Sequence, residues 1–425
     1  MAASLILLAI IVIPAFIVRR YFLSPMGIIS CVTAVFLVAK YLICFHYQIT
    51  FLHSVPAEDI KRELSLISIH LGFSFALALA VSYWLLSIYK GELQQVDELR
   101  VRKWVPYANI ILLVGITTVA IALGKSPFGN PLGFRRMLES QGMYYFLSMA
   151  LFISYMNSIY AGYRFFLINK RLSVTEMLST LVSLSFCFIC GLINALVLCI
   201  VMPLFFLYLN GRRRLLVILL ILVPIAAIYV RIYSVYRDVN TQTSISLSDA
   251  SKIVFSGDDG LDKLVNRFDY LENFAMATKY LEHQQPNYGA AMAGTLVQFI
   301  PRALWEDKPV VFSRRLTEIL IPDMFDGAGS TANFGEVNEF FDAFGLKLGM
   351  LVSVLSIGIL VGLIHVFYIS SEGNPHMTAR YLLVFFPYVM TGYIAGFVMD
   401  LAFPLLILNT IYFKFFVETP KSDRN

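Results

Sequence analysis

The run MLSTLVSLSFCFICGLINALVLCIVMPLFFLYL, residues 177–209, decides the fold. It contains no Asp, Glu, Lys or Arg, and its 33 residues exceed what one upright helix needs to cross a bilayer. A hydrocarbon core takes about 20 apolar residues in helical form. Gly191-Leu-Ile-Asn194 interrupts the run near its middle, so it reads as two short helices, 177–192 and 194–209, joined by a tight turn. Further apolar segments lie at 2–18, 26–45, 65–89, 105–123, 143–161, 214–235 and 349–369. Residues 1–18 lack a basic leader and a small-residue cleavage site, and read as a first span rather than a signal peptide. The long run 380–417 carries Gly396, Asp400 and Pro404, which divides it into 380–397 and 400–417.

Charge placement tests the division at Gly191. With it, the loops 19–25, 90–104, 162–176, 210–214 and 370–380 share one side and hold 13 Lys and Arg, against 5 in 46–64 and 124–142. Basic residues concentrate on the cytoplasmic side of membrane proteins, and a single helix over 177–209 would reverse every upstream loop. The expected topology therefore has the N-terminus outside and the C-terminus inside. Composition agrees: 58% of the residues are hydrophobic and 14% charged, where a soluble surface needs about 25%. All five cysteines (Cys31, Cys44, Cys187, Cys190 and Cys199) fall in apolar segments, so no disulfide framework is available outside them, and Cys187-x-x-Cys190 reads as packing.

Residues 236–348 stand apart. This stretch of 113 residues has polar turns at Gly257-Asp-Asp-Gly260 and Asp326-Gly-Ala-Gly329, with helix-like stretches at about 260–283 and 288–300. A connector that long is generally functional. It carries ten Lys and Arg against sixteen Asp and Glu, an acidic balance that argues against nucleic acid as a partner. Within it, Arg302, Lys308, Arg314 and Arg315 cluster near the apolar segment Leu296–Ile300. Such a group can hold phosphate oxygens at a membrane surface through paired guanidinium hydrogen bonds. The alternative is a solvated surface with ion pairs to Glu306 and Asp307. On a helix, Glu336, Glu339 and Asp342 share a face at spacings of three. A carboxylate partly desolvated beside a membrane is suited to accept a proton near neutral pH. The polar face of a helix entering the bilayer at 349 would look similar. His283, the loop's one histidine, is a further candidate base. No phosphate loop, dinucleotide fingerprint, zinc helix or calcium loop occurs, so neither cofactor nor metal is expected. Lys40, Asn157, Asn194 and Asp400 inside apolar segments would suit a transporter.

The run Phe299-Ile-Pro-Arg302-Ala-Leu-Trp305-Glu-Asp-Lys308-Pro309 resembles a segment of bacterial oligosaccharide repeat-unit polymerases, the O-antigen polymerase (Wzy-type) family. Gly335-Glu336 followed by Phe344-Gly345 is similar to that family's Gly-Glu … Phe-Gly element before a transmembrane helix. Arg267, in Arg267-Phe-Asp-Tyr-Leu-Glu272, resembles the arginine that opens the family's large periplasmic loop. Two family arginines have no counterpart, at the turns Cys190–Asn194 and Ala395–Asp400.

The resemblance implies an all-α polytopic inner-membrane protein with about eleven transmembrane helices and one large, partly helical periplasmic loop. Its parts would be an N-terminal bundle of about eight helices over 1–235, a loop carrying the active site over 236–348, and about three helices with a short cytoplasmic tail over 349–425. The implied activity is metal-independent glycosyl transfer from an undecaprenyl-pyrophosphate-linked oligosaccharide to another lipid-linked unit. Arg267 and Arg302 would offset charge on the leaving pyrophosphate and Glu336 would take the acceptor proton. Lys308, Arg314, Arg315, Trp305, His283 and Glu339 would bind substrate. A flippase and a chain-length regulator are the partner proteins that this implies, beside membrane lipid. Rival readings are ligase-like transfer to lipid A core and a non-enzymatic export or assembly component.

Overall fold

The computed structural model describes residues 24–33, 40–47, 55–88, 99–122, 144–168, 171–190, 192–210, 232, 247–255, 270–290, 305, 307, 310, 312–322, 334–388 and 414–417. Among them the regular structure is helical, apart from one antiparallel bridge between Val101 and Val417. In chain order the helices are α1 (Pro25–Thr33), α2 (Lys40–Tyr47), α3 (Ala57–Ile88), α4 (Val105–Ala122), α5 (Tyr144–Gly162) and α6 (Val174–Ile189). There follow α7 (Ile193–Leu209), α8 (Leu247–Phe255), α9 (Tyr270–Leu281), α10 (Phe312–Leu320), α11 (Glu336–Ile369) and α12 (Pro375–Tyr388).

Three of these are long and apolar enough to cross a membrane: Ala57–Ile88, Val105–Ala122 and Val337–Ile369. This corrects the expectation of about eleven. The segments expected at 65–89, 105–123 and 349–369 are these three. Three others fall short for physical reasons, while the segment expected at 380–397 is described only as far as Tyr388. At about 1.5 Å per residue, the 16 residues of α6 and the 17 of α7 stop short of a hydrocarbon core of roughly 30 Å. The segment 26–45 is described only in part, since residues 34–39 lie outside the description, and Lys40 within it is tied into a buried ion pair. Helix α5 has 19 residues, but Ser154, Asn157 and Ser158 dilute its apolar character. The segments expected at 2–18 and, with isolated exceptions, 214–235 and 400–417 lie outside the described residues.

The three long helices carry the character of a multi-pass membrane protein on their outer faces. Exposed apolar side chains follow helical spacing on α3 (Ile69, Phe73), α4 (Tyr107, Ile111, Val114, Ile121) and α11 (Leu348, Leu351, Leu355, Ile359). Stripes of that length facing water would be costly, and they suit lipid.

The broadest packing joins α3 to α11, which run parallel. Gly358 and Gly362, one turn apart, make the close approach possible. A Cβ on Gly362 would sit 2.9 Å from the Ala78 carbonyl oxygen, and one on Gly358 would sit 2.8 Å from a Leu77 methyl. Small residues spaced by four are how helices pack closely where lipid is the solvent. The same seam holds His70 Nε2 and Ser353 Oγ at 2.8 Å, both buried.

A second group, α4 to α7, packs beside this pair, and α12 touches α5, α7 and α11. The break in 177–209 falls at Cys190–Leu192. Helix α6 begins with a capping box: the Ser173 hydroxyl accepts from the Glu176 amide at 3.3 Å, and the Ser173 amide donates to the Glu176 carboxylate at 2.7 Å.

Candidate functional site

The two turns that bound α11's first segment are set by glycine geometry. Gly335 caps the helix at φ 83 and Gly345 interrupts it at φ 76. Side chains with a Cβ are strained at such angles. A Cβ on Gly335 would also lie 2.6 Å from the Phe274 ring, and one on Gly345 would lie 3.3 Å from Pro286. Residues 336–344 therefore form a separate helical stub at an angle to the long span behind it. That stub lies against α9, and α9 lies against α3 and α10.

Helix α9 is buried on nearly every side, and its polar groups meet partners from several elements. Glu272 accepts an ion pair from Lys40 at 2.5 Å, with both side chains out of water. Thr278 donates to Asn338 Oδ1 at 2.9 Å, and the Asn338 amide donates to the Phe274 and Phe334 carbonyls at 3.0 and 2.9 Å. At the start of α3, Arg62 donates to the buried Glu63 carboxylate and reaches Glu282 at 3.0 Å, while Lys279 pairs with Asp59 at 2.9 Å.

Asp342 is the central acceptor of the stub. The Arg315 guanidinium from α10 donates to its Oδ1 and the Asn287 side chain donates to its Oδ2. The Asn287 backbone amide donates to the Asp342 carbonyl at 2.9 Å, and the Asn287 side-chain oxygen accepts from Gly289. One carboxylate thus ties together α10, the 283–290 turn and α11.

Each residue singled out in the sequence can be placed against this junction. Arg315 and Glu339 belong to it: Arg315 is paired with Asp342, and Glu339 is buried at 1% exposure on the stub. Arg314 points outward and pairs with Glu318 on its own helix at 3.2 Å. His283 is exposed just past the end of α9, and Trp305 is exposed. Glu336 is the first residue of α11. Arg267, Arg302 and Lys308 lie outside the described residues. The helix-like stretch expected at 260–283 is seen as α9, whereas 291–300 lies outside the description.

Charge pairing limits what the described part can do alone. Lys40, Arg62, Lys279, Arg314 and Arg315 each have a carboxylate within 3.2 Å, so none is a free anion receptor. The arrangement is a rigid, charge-compensated platform that holds the Gly335–Gly345 stub in place.

The polar residues that suggested transport have other roles. Asn157 donates to Ser179 Oγ at 2.9 Å, and Asn109 donates to Ser179 and Ser183 at 3.0 and 2.8 Å and accepts from Ser154 at 3.1 Å. This neutral network joins α4, α5 and α6. Lys40 is neutralised by Glu272. The side chain of Asn194 and all of Asp400 lie outside the described residues.

No family model, curated protein or solved structure matches this chain.

Sequence reasoning passed over Asn287 and Glu63. Asn287 follows Pro286 in a turn-forming pair, which signals a loop but not its partner. Glu63 was legible only as one of five charged residues preceding an apolar helix.

Proposed function

We propose that the chain polymerises undecaprenyl-pyrophosphate-linked oligosaccharide repeat units by glycosyl transfer on the periplasmic face of a bacterial inner membrane. The observation that carries this reading is the Gly335–Gly345 element. Its two glycines take the backbone angles that isolate a short helix beginning at Glu336, immediately before a membrane-spanning helix. In the sequence the same element follows the Phe299–Pro309 run with its Arg302 and Lys308.

In the reaction, an acceptor hydroxyl oxygen bonds to the anomeric carbon of the donor sugar. The bond from that carbon to the phosphate oxygen breaks, and its electron pair leaves with the pyrophosphate. Arg267, Arg302 and Lys308 offset the growing negative charge, and the Glu336 carboxylate receives the hydroxyl proton. Because Arg315 is committed to Asp342, its part is to hold α10 against the stub, and the donor phosphates fall to the other three cations. The excess of Lys and Arg in one set of loops supports a cytoplasmic C-terminus. Two of those loops support this by meeting: Leu99 donates to the Tyr163 hydroxyl at 3.2 Å.

Purified protein in nanodiscs, supplied with synthetic lipid-linked repeat units, should yield carrier-linked chains of several units. In cells, loss of the gene should leave lipid A core with at most one repeat unit. Long chains stranded on the carrier in the deletion strain would contradict polymerisation and point to ligation.

A further inference from the structure

The foot of α4 presents cations that have no carboxylate partner among the described residues, beside exposed aromatic rings. Arg102, Lys103 and Trp104 immediately precede the spanning helix, and Lys414–Val417 fold against them. The contact is specific. Val101 and Val417 form a bridge, the Arg102 amide donates to the Phe416 carbonyl at 3.0 Å, and Trp104 packs against Phe415 and Phe416 with ring centres 5.5 and 5.4 Å apart. The Arg102 guanidinium lies 6.0 Å from the centre of the Phe415 ring.

Among the described residues no carboxylate lies within ion-pair distance of Arg102, Lys103 or Lys414, and all three are exposed. This separates them from the cations around α9. Above them runs the outward stripe of α4: Tyr107 at 56% exposure, Ile111 at 70% and Val114 at 51%. Gly115 adds open space on the same helix, since nothing lies within 4 Å of a Cβ built there. The exposed rings of Trp104 and Phe415 sit where this stripe meets the cations.

We infer that the foot of α4 and the strap Lys414–Val417 together bind an anionic membrane lipid. Its phosphate faces Arg102, Lys103 and Lys414, and an acyl chain lies along Tyr107, Ile111 and Val114. Three features fit a lipid over a soluble anion: the cations are at the end of a spanning helix, aromatic rings of the interfacial kind flank them, and an apolar track continues from them. The charge comes from two distant parts of the chain, so the site exists only when the strap is docked.

Nanodiscs of full-length protein would carry photoreactive phosphatidylglycerol or an otherwise identical phosphatidylcholine, and cross-links would be mapped to the peptides containing 99–114 and 414–417. The unmodified protein should favour phosphatidylglycerol at these peptides. Each single replacement, Lys103→Ala or Lys414→Ala, should reduce that preference about fivefold, and the triple change with Arg102→Ala on the order of 100-fold or to the limit of no preference. A triple variant that keeps charge (Arg102→Lys, Lys103→Arg, Lys414→Arg) should retain it. The two single lysine variants remove exposed side chains without partners, so they keep the test valid if the triple variant does not fold. Equal labelling by the two lipids in the unmodified protein, or a preference unchanged in both single variants, would overturn the inference. Excess inorganic phosphate should leave the preference intact; its abolition by phosphate would show a free-anion site instead.

Discussion

The network around Asn109 and the junction around α9 both bury polar side chains, but one uses amides and hydroxyls and the other full charges. In the first, Asn109, Ser154, Asn157, Ser179 and Ser183 trade neutral hydrogen bonds between three apolar helices. Such bonds serve as modest glue in a membrane bundle, because the separated helices find alternative partners. In the second, Lys40 with Glu272 places two ions out of water and Arg315 pairs with the buried Asp342, and a buried ion that loses its partner is expensive. The difference teaches that the charged junction is built to hold one arrangement, while the neutral network tolerates loss. The platform that holds the Gly335–Gly345 stub belongs to the charged kind.

Removing one half of the most buried pair should break the comparison most sharply. Lys40→Met leaves Glu272 buried without its lysine and should destabilise the fold by about 3–5 kcal/mol. The double change Lys40→Met with Glu272→Met should recover most of that loss. Equilibrium unfolding in mixed micelles, run as a double-mutant cycle, measures both. A single variant as stable as the unmodified protein would place the ion pair in water.

Asp342→Asn comes next. It keeps the shape but removes the charge that faces Arg315, whose own side chain is 34% exposed and partly served by solvent. The expected loss is about 2 kcal/mol, with faster hydrogen exchange in α10 and the 283–290 turn than in α4. Exchange that rises equally in both regions would deny Asp342 its role as a local tie.

The α3–α11 seam should respond to added volume. Gly362→Ala drives a methyl group toward the Ala78 carbonyl oxygen and should cost about 1–3 kcal/mol. Gly115→Ala on α4 adds the same group into open space, so it should cost nothing beyond a small helical gain. Thermal melting of the two variants side by side tests the contrast.

Among the destabilising changes Asn109→Ala should have the smallest effect, about 0.6 kcal/mol and no more than roughly 1.7. A loss as large as that of Lys40→Met would erase the distinction between the two clusters.

Several of these features were legible in the sequence, and the others hid for definable reasons. Gly191 marked the break in 177–209, and the structure places the turn within a residue or two of it. The same length argument failed elsewhere because it counted apolar residues without asking what each polar one meets. Lys40 read as a polar group inside an apolar segment that would suit transport, yet its partner is Glu272, far along the chain. Gly335 and Gly345 were visible as a motif, whereas their positive φ angles belong to tertiary packing against Phe274 and Pro286. Arg315 and Asp342 are 27 residues apart, and nothing in either segment names the other. The Gly358-x-x-x-Gly362 spacing was present in the sequence and carries the close approach of α3 and α11, a signal that apolar run-lengths alone do not weigh.

The central proposal is that Glu336, at the start of the stub held by this junction, is the proton acceptor for glycosyl transfer. Single-turnover transfer by Glu336→Gln, with donor binding measured in parallel on the same nanodiscs, tests it most directly. The glutamine keeps the shape and cannot accept the proton, so transfer should fall by about 100-fold or more while donor binding stays nearly unchanged. Transfer at a rate close to that of the unmodified protein would contradict the claim.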